Sequence, residues 1–128
     1  MVIDSSALIA VLFNEPERRA LNEKIEADPV RMISAVSLVE ASTVVESRRG
    51  ETAVRELDLF VHRAGIEVVA FTAEQAAIAR DAFRRFGRGR HSARLNFGDC
   101  CAYALAAHAG EPLLFKGTDF PATDVRTC

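Results

Sequence analysis

The sequence predicts an α/β fold: a mostly parallel sheet with helices on both faces. Three observations carry that prediction. The chain has 128 residues, of which 49% are hydrophobic and 27% charged, which is the length and balance of one ordinary globular domain. Short apolar runs of strand length alternate with segments of helical spacing. Strands separated by helices of this length build βαβ units, whose strands run parallel.

The elements follow in order. Met1-Val2-Ile3 is a strand that stops at Asp4-Ser5-Ser6, residue types that cap helices. Ala7 to Phe13 is apolar enough for a buried helix. Asn14-Glu15-Pro16 restarts a helix, with Asn14 as its expected cap, Pro16 in the first turn, and Leu21 and Ile25 as an apolar i,i+4 pair. After Asp28-Pro29, Val30 to Ser34 reads as the second strand, and Ala35 to Ser47 has helical spacing. Gly50 separates that helix from Glu51 to Ala64, where Val54, Leu57 and Val61 share a face. These two apolar stripes, on 16–27 and 51–64, suit packing on the sheet or cover by a partner. Gly65 is a stop, Ile66 to Phe71 the third strand, and Thr72 with Gln75 a capping box for a helix reaching Phe86. Gly87 to Ser92 is a basic loop, Phe97 to Ala109 an Ala-rich helix ended by Gly110, and Pro112 to Phe115 the fourth strand. A last short strand is expected near Val125.

Composition excludes several classes. The longest apolar run is eight residues, Cys100 to Ala107, and a membrane span needs about 20. Met1-Val2-Ile3-Asp4 has no basic n-region, so no secretory signal is expected. Cys100, Cys101 and Cys128 are an odd number without a C-x-x-C spacing, which is neither a disulfide framework nor a zinc site and fits a reducing cytosol. The net charge of −2 hides a segregation: residues 84 to 94 hold five arginines and no acid, so the remainder is strongly acidic. An acidic body with one basic strip suits a protein that holds cations and touches a polyanion.

Four acids stand out by position. Asp4 follows the first strand and reads alone as a helix cap. Glu40 has Val36, Ser37, Thr43 and Val44 as same-face neighbours, all apolar or small, and an inward carboxylate needs a partner, a proton or a metal. Asp99 stands at capping-box spacing from Asn96, at the mouth of a helix that is apolar all round. Asp119 follows the fourth strand, with Asp124 a weaker candidate of the same kind. A parallel sheet brings such positions to one edge, where ligands of α/β sheets bind. Crowded carboxylates of this type suit Mg²⁺ or Mn²⁺, and such a centre hydrolyses phosphodiesters.

At these residues the sequence resembles the PIN-domain ribonucleases, and among them the VapC-type toxins of bacterial toxin–antitoxin pairs. The resemblance lies in Val2-Ile3-Asp4-Ser5-Ser6-Ala7-Leu8, in Ser34-Ala35-Val36-Ser37-Leu38-Val39-Glu40, in Leu95-Asn96-Phe97-Gly98-Asp99-Cys100 with Ala102 to Ala106, and in Leu113 to Phe120. It runs from the first element to the last, over a single domain of residues 1–128. It implies a PIN-like three-layer α/β/α sandwich and a cytoplasmic, Mg²⁺-dependent endoribonuclease, with Mn²⁺ a possible substitute. It also implies a homodimer and a separate antitoxin chain that inhibits it. By the same resemblance Asp4 and Asp99 are the metal ligands, Glu40 and Asp119 complete the acidic set, and Ser6 supports Asp4. Asp124 is the alternative to Asp119. Arg88, Arg90 and Arg94 are the expected grip on the RNA backbone. The rival readings are a PIN fold that has lost catalysis and serves as a binding or regulatory protein, and a metal-dependent phosphatase. The second would want an aspartate where Ser6 stands.

Overall fold

A computed structural model describes residues 1–128. Four short strands form one parallel sheet: β1 (Val2–Ile3), β2 (Met32–Ser34), β3 (Glu67–Val69) and β4 (Leu113–Leu114), in the order β3-β2-β1-β4. The helices are α1 (Ser5–Leu12), α2 (Arg18–Ala27), α3 (Ala35–Arg49), α4 (Glu51–Arg63), α5 (Ala73–Phe86) and α6 (Phe97–Ala109). Val2 pairs with both Met32 and Leu113, so β1 is central and every strand ends at the same edge of the sheet.

Side-chain alternation along the strands divides the core in two. Ile3, Ile33 and Leu114 face a cluster built with Leu8, Val11, Leu21, Ile25, Leu57 and Val61, from α1, α2 and α4. Val2 and Leu113 face a second cluster with Ala79, Ala82, Phe86, Tyr103 and Leu105, from α5 and α6. The expected three layers are therefore present. The apolar stripes of α2 and α4 are spent in the first of these cores, not left for a partner.

Capping sets the helix starts. Asp4, Ser34, Thr72 and Asn96 each accept a hydrogen bond from the first turn of the helix that follows. Asn14 does not cap α2: it takes a left-handed backbone (φ 53°), and α2 begins only at Arg18. Pro16 lies in the turn before it, where its missing N–H costs nothing. The strand expected near Val125 is a single parallel bridge between Thr127 and Leu113. The segment before it is a 3-10 turn, Phe120–Ala122, anchored by the buried Phe120 ring. No helix is long and apolar enough to cross a membrane.

Candidate active site

Asp4 stands where β1 ends, one residue before α1, and is 3% exposed. Its cap occupies one carboxylate oxygen and leaves the other for different use. Oδ2 accepts from the Ser6 backbone N–H at 3.0 Å and from the Ser6 hydroxyl at 2.5 Å. The same hydroxyl oxygen accepts from the Lys116 N–H at 2.9 Å, which ties the loop after β4 to the acid after β1. Oδ1 is buried and has no hydrogen-bond partner. Burial is the main reason the Asp4 carboxyl is pushed above its ordinary range; Ser6 opposes that, and the Glu40 charge adds to it.

Glu40 reaches this point from the second turn of α3, which starts directly where β2 ends. It is half-buried, and its Oε1 accepts from the Ser5 hydroxyl at 2.5 Å. Its carboxylate lies against the backbone of Gly98, in the first turn of α6; a Cβ built on Gly98 would overlap that carboxylate. Gly98 has no positive φ to explain it. Its use is close approach, for which a bare backbone is required.

Asp99 follows at once. The expected capping box is present: the Asp99 N–H donates to Asn96 Oδ1, and Asp99 Oδ2 accepts from the Asn96 N–H, each at 2.9 Å. Partial burial pushes the Asp99 carboxyl up to about 6, with the charges of Asp4, Asp119 and Glu40 adding to the rise and the Asn96 N–H opposing it. Asp119 is exposed in the loop after β4 and precedes the 3-10 turn. Asp4, Glu40, Asp99 and Asp119 thus form one electrostatic cluster at the carboxyl edge of the sheet.

No three acidic, histidine or cysteine side chains converge on a common coordination point. Mg²⁺ does not require this, since it keeps several waters and is commonly held by one or two carboxylates. The residues present fit such an ion. Asp4 and Asp99 each commit Oδ2 to a backbone N–H, and the free buried Oδ1 of Asp4 lacks any donor. A buried carboxylate oxygen left in that state calls for a cation or a proton.

Asp124, the alternative to Asp119, is paired with groups of α5 and α6. Its Oδ1 accepts from the Tyr103 hydroxyl and its Oδ2 from Arg85, each at 2.6 Å. These bonds hold its carboxyl below the usual range, Tyr103 contributing most. Asp124 fastens the C-terminal segment to α5 and α6. The basic strip divides likewise: Arg84 pairs with Asp81, and Arg85 with Asp124 and Asp81. Arg88, Arg90 and Arg94 are exposed on a loop closed by Leu95 N–H to Phe86 and Arg88 N–H to Leu95, both 3.0 Å, with Leu95 buried beneath it.

Two residues of the site are missed by sequence reasoning. Ser5 holds Glu40 across 35 positions of chain, a contact that no local pattern encodes. Gly98 did leave a signal: a glycine inside a helix costs about 1 kcal/mol against alanine, so its presence asks for a packing reason.

Residues 1–126 match the PIN domain family. A VapC ribonuclease of Mycobacterium bovis is 51% identical over 127 residues, covering 99% of this chain and 97% of the relative. A ribonuclease VapC of Mycolicibacterium smegmatis is 54% identical over 125 residues, covering 98% and 97%. Among solved structures, the fold is similar to Mycobacterium tuberculosis VapC20, described as a sarcin-ricin loop cleaving toxin, at TM-score 0.79 and 20% identity over 99% of this chain and 97% of that one. It is also similar to a chain of VapBC2 from Rickettsia felis, solved bound to a promoter DNA fragment, at TM-score 0.76 and 15% identity over 98% and 94%. The acids at the carboxyl edge, the parallel sheet that gathers them and these whole-length matches agree: the chain belongs to the PIN-domain family, in its VapC group.

Proposed function

We propose that this protein is a Mg²⁺-dependent endoribonuclease, the toxin of a toxin–antitoxin pair. The observation that carries the reading is the buried, unpartnered Oδ1 of Asp4 inside a cluster with Asp99, Glu40 and Asp119. Relatives that are 51% and 54% identical are named ribonucleases, which supports RNA as the substrate.

Asp4 and Asp99 would hold the ion, each with the carboxylate oxygen that its cap does not use. Ser6 fixes the Asp4 carboxylate with two hydrogen bonds, and the Lys116 N–H in turn holds the Ser6 hydroxyl. Ser5 and the bare Gly98 backbone hold Glu40 against the first turn of α6, where its carboxylate would help orient the ion's waters. Asp119, on an exposed loop, would add its charge to the cluster from the solvent side. Bound Mg²⁺ supplies a water of lowered pKa and offsets the charge that builds on the phosphate. Arg88, Arg90 and Arg94 offset the repulsion between an acidic site and a polyanion by taking phosphate oxygens. A separate antitoxin chain covers the site; co-production with its neighbouring gene, followed by purification without a second small protein, would remove that part of the reading.

The test is cleavage of a panel of single-stranded RNAs by wild type, Asp4→Asn and Asp99→Asn at matched Mg²⁺. Wild type cleaves, chelation stops it, and both variants lose at least a hundredfold in rate while remaining folded by circular dichroism. Wild-type rates in either folded variant would overturn the assignment.

A further inference from the structure

We propose that the apolar pocket between α5 and α6 is a nucleobase subsite, which seats one unpaired base of the RNA beside the acid cluster. The proposal rests on the ribonuclease reading above and narrows its substrate to RNA with an unstacked nucleotide at the cut.

The pocket has a volume of about 500 Å³ and is lined by Phe71, Phe83, Phe97, Cys100 and Cys101, with Arg80 its one charged wall residue. Sites for small molecules span roughly 300–1,000 Å³. Phe97, Cys100 and Cys101 lie at i, i+3 and i+4 and so share one face of α6. Gly98, against which Glu40 rests, and Asp99 occupy the same first turn. Pocket and acid cluster are therefore two sides of one helix end.

Phe97 is 75% exposed, although eight of the thirteen residues of its helix are buried. An aromatic ring left in water next to a reaction centre contributes nothing to the core. It does offer a flat face, and Phe83, 41% exposed, offers another.

The rim identifies the occupant. Arg80 and Phe83 are shared with an adjoining groove that contains Arg84 and Arg90. The Arg90 guanidinium lies 5.7 Å from the Phe83 ring centre, and Arg90 also belongs to the surface formed by Arg88 and Arg94. Arg84 is spent on Asp81, whereas Arg80 and Arg90 have no acidic partner. A continuous track thus runs from acids to aromatic rings to unpaired arginines. Single-stranded nucleic acid carries the complement, flat bases alternating with phosphates, and its recognition combines aromatic stacking with cationic contacts. A base inside a duplex cannot enter such a pocket without being flipped out.

The experiment uses a 2-aminopurine walk through a short single-stranded RNA that wild type cleaves or binds, read on the full chain in Ca²⁺ to suppress cleavage. Stacking quenches the probe strongly at one position. An abasic nucleotide there weakens binding by roughly tenfold to a hundredfold, the range of base–aromatic stacking. Phe97→Ala produces a loss of the same order and removes the position dependence, while Mn²⁺ binding measured by calorimetry is unchanged. Phe97→Ala combined with the abasic RNA adds little further loss. Equal affinities for intact and abasic RNA at every position overturn the subsite, as does unchanged RNA affinity in Phe97→Ala. If that variant instead alters self-association or capture of the antitoxin with RNA affinity intact, the pocket is a protein interface and the proposal falls. Cleavage that still depends on Asp99 in any of those cases leaves the ribonuclease reading standing; a chain that neither binds nor cleaves RNA removes both.

Discussion

Single atoms decide the chemistry of this site. Asp4 caps α1 with one carboxylate oxygen and leaves the other buried and without a donor, so a residue that looks like an ordinary cap keeps one oxygen free for a cation or a proton. Gly98 works by what it lacks. Replacing it with alanine relieves a helix of glycine's entropy cost, about 1 kcal/mol, yet drives a methyl group into the Glu40 carboxylate. The two effects have different readouts. Gly98→Ala should keep or raise the melting temperature of the metal-free protein while weakening Mn²⁺ binding and slowing cleavage by tenfold or more. Glu40→Asp in that background, one methylene shorter, should recover part of the binding. A Gly98→Ala protein with wild-type Mn²⁺ affinity would show that the contact with Glu40 has no part in the site. Glu40→Gln should likewise cost more than Asp119→Asn, because Glu40 is half-buried and fastened by Ser5 whereas Asp119 is exposed.

At the scale of elements, the loop from Gly87 to Leu95 and the start of α6 act together. The loop is closed by backbone bonds at its base, and its buried Ala93 and Leu95 belong to the α5–α6 core. Its arginines are thereby carried to the entrance of α6 without the loop needing an acidic partner of its own. Neutralising Arg88, Arg90 and Arg94 together should weaken RNA binding and flatten its salt dependence by a log–log slope of roughly 0.7 per lost phosphate contact. The rate at saturating RNA should change little. Binding isotherms between low and moderate salt check this; a triple variant with the wild-type slope would place the RNA elsewhere. The sequence singled out five arginines as one strip, and the structure divides them. Arg84 and Arg85 are claimed by Asp81 at helical i,i+3 and i,i+4 spacing, which the sequence could show, and Arg85 also by Asp124, which only the tertiary fold brings near.

At the scale of the whole molecule, the acid cluster is held together against its own repulsion by the fold. Asp99 is raised to about 6, chiefly by burial, from about 3.9 in an unfolded chain. The folded protein therefore keeps this proton over a range where the unfolded chain has lost it. Its contribution to stability is full below about pH 4 and is lost as pH rises through about 6; Asp4 shifts in the same direction. Metal-free wild type should lose melting temperature between pH 4 and 6 relative to Asp99→Asn. The loss from Asp99 is of the order of 1–2 kcal/mol once solvent screening is allowed for. Mg²⁺ should restore stability above pH 6 and do little near pH 4, because the ion competes with the proton. Thermal melts with chelator or Mg²⁺ across this range measure both. A melting curve whose pH response is the same in wild type and Asp99→Asn would mean that Asp99 is not a strained acid.

What the sequence determined by itself is local or periodic. Alternating strand and helix patterns specify α/β layering, because burial of a strand and of a helix face demands different spacings. Asn96 and Asp99 specify their own capping box across three residues, and the apolar girth of α6 announces that it is buried. The order of four acids along the chain was legible as well, since a parallel sheet delivers the ends of its strands to one edge. Tertiary structure decided how deeply the remaining oxygens of those acids are buried and which distant groups face them. It joined Ser5 to Glu40, Ser6 to Lys116 and Glu40 to Gly98, contacts made between segments far apart in sequence. It also gave Asp124 the Tyr103 hydroxyl and the Arg85 guanidinium as partners. The physical reason is that a carboxylate's role is set by the donors and charges within a few ångströms: the capping donors are sequence neighbours, whereas the partners of Glu40 and Asp124 arrive from other elements.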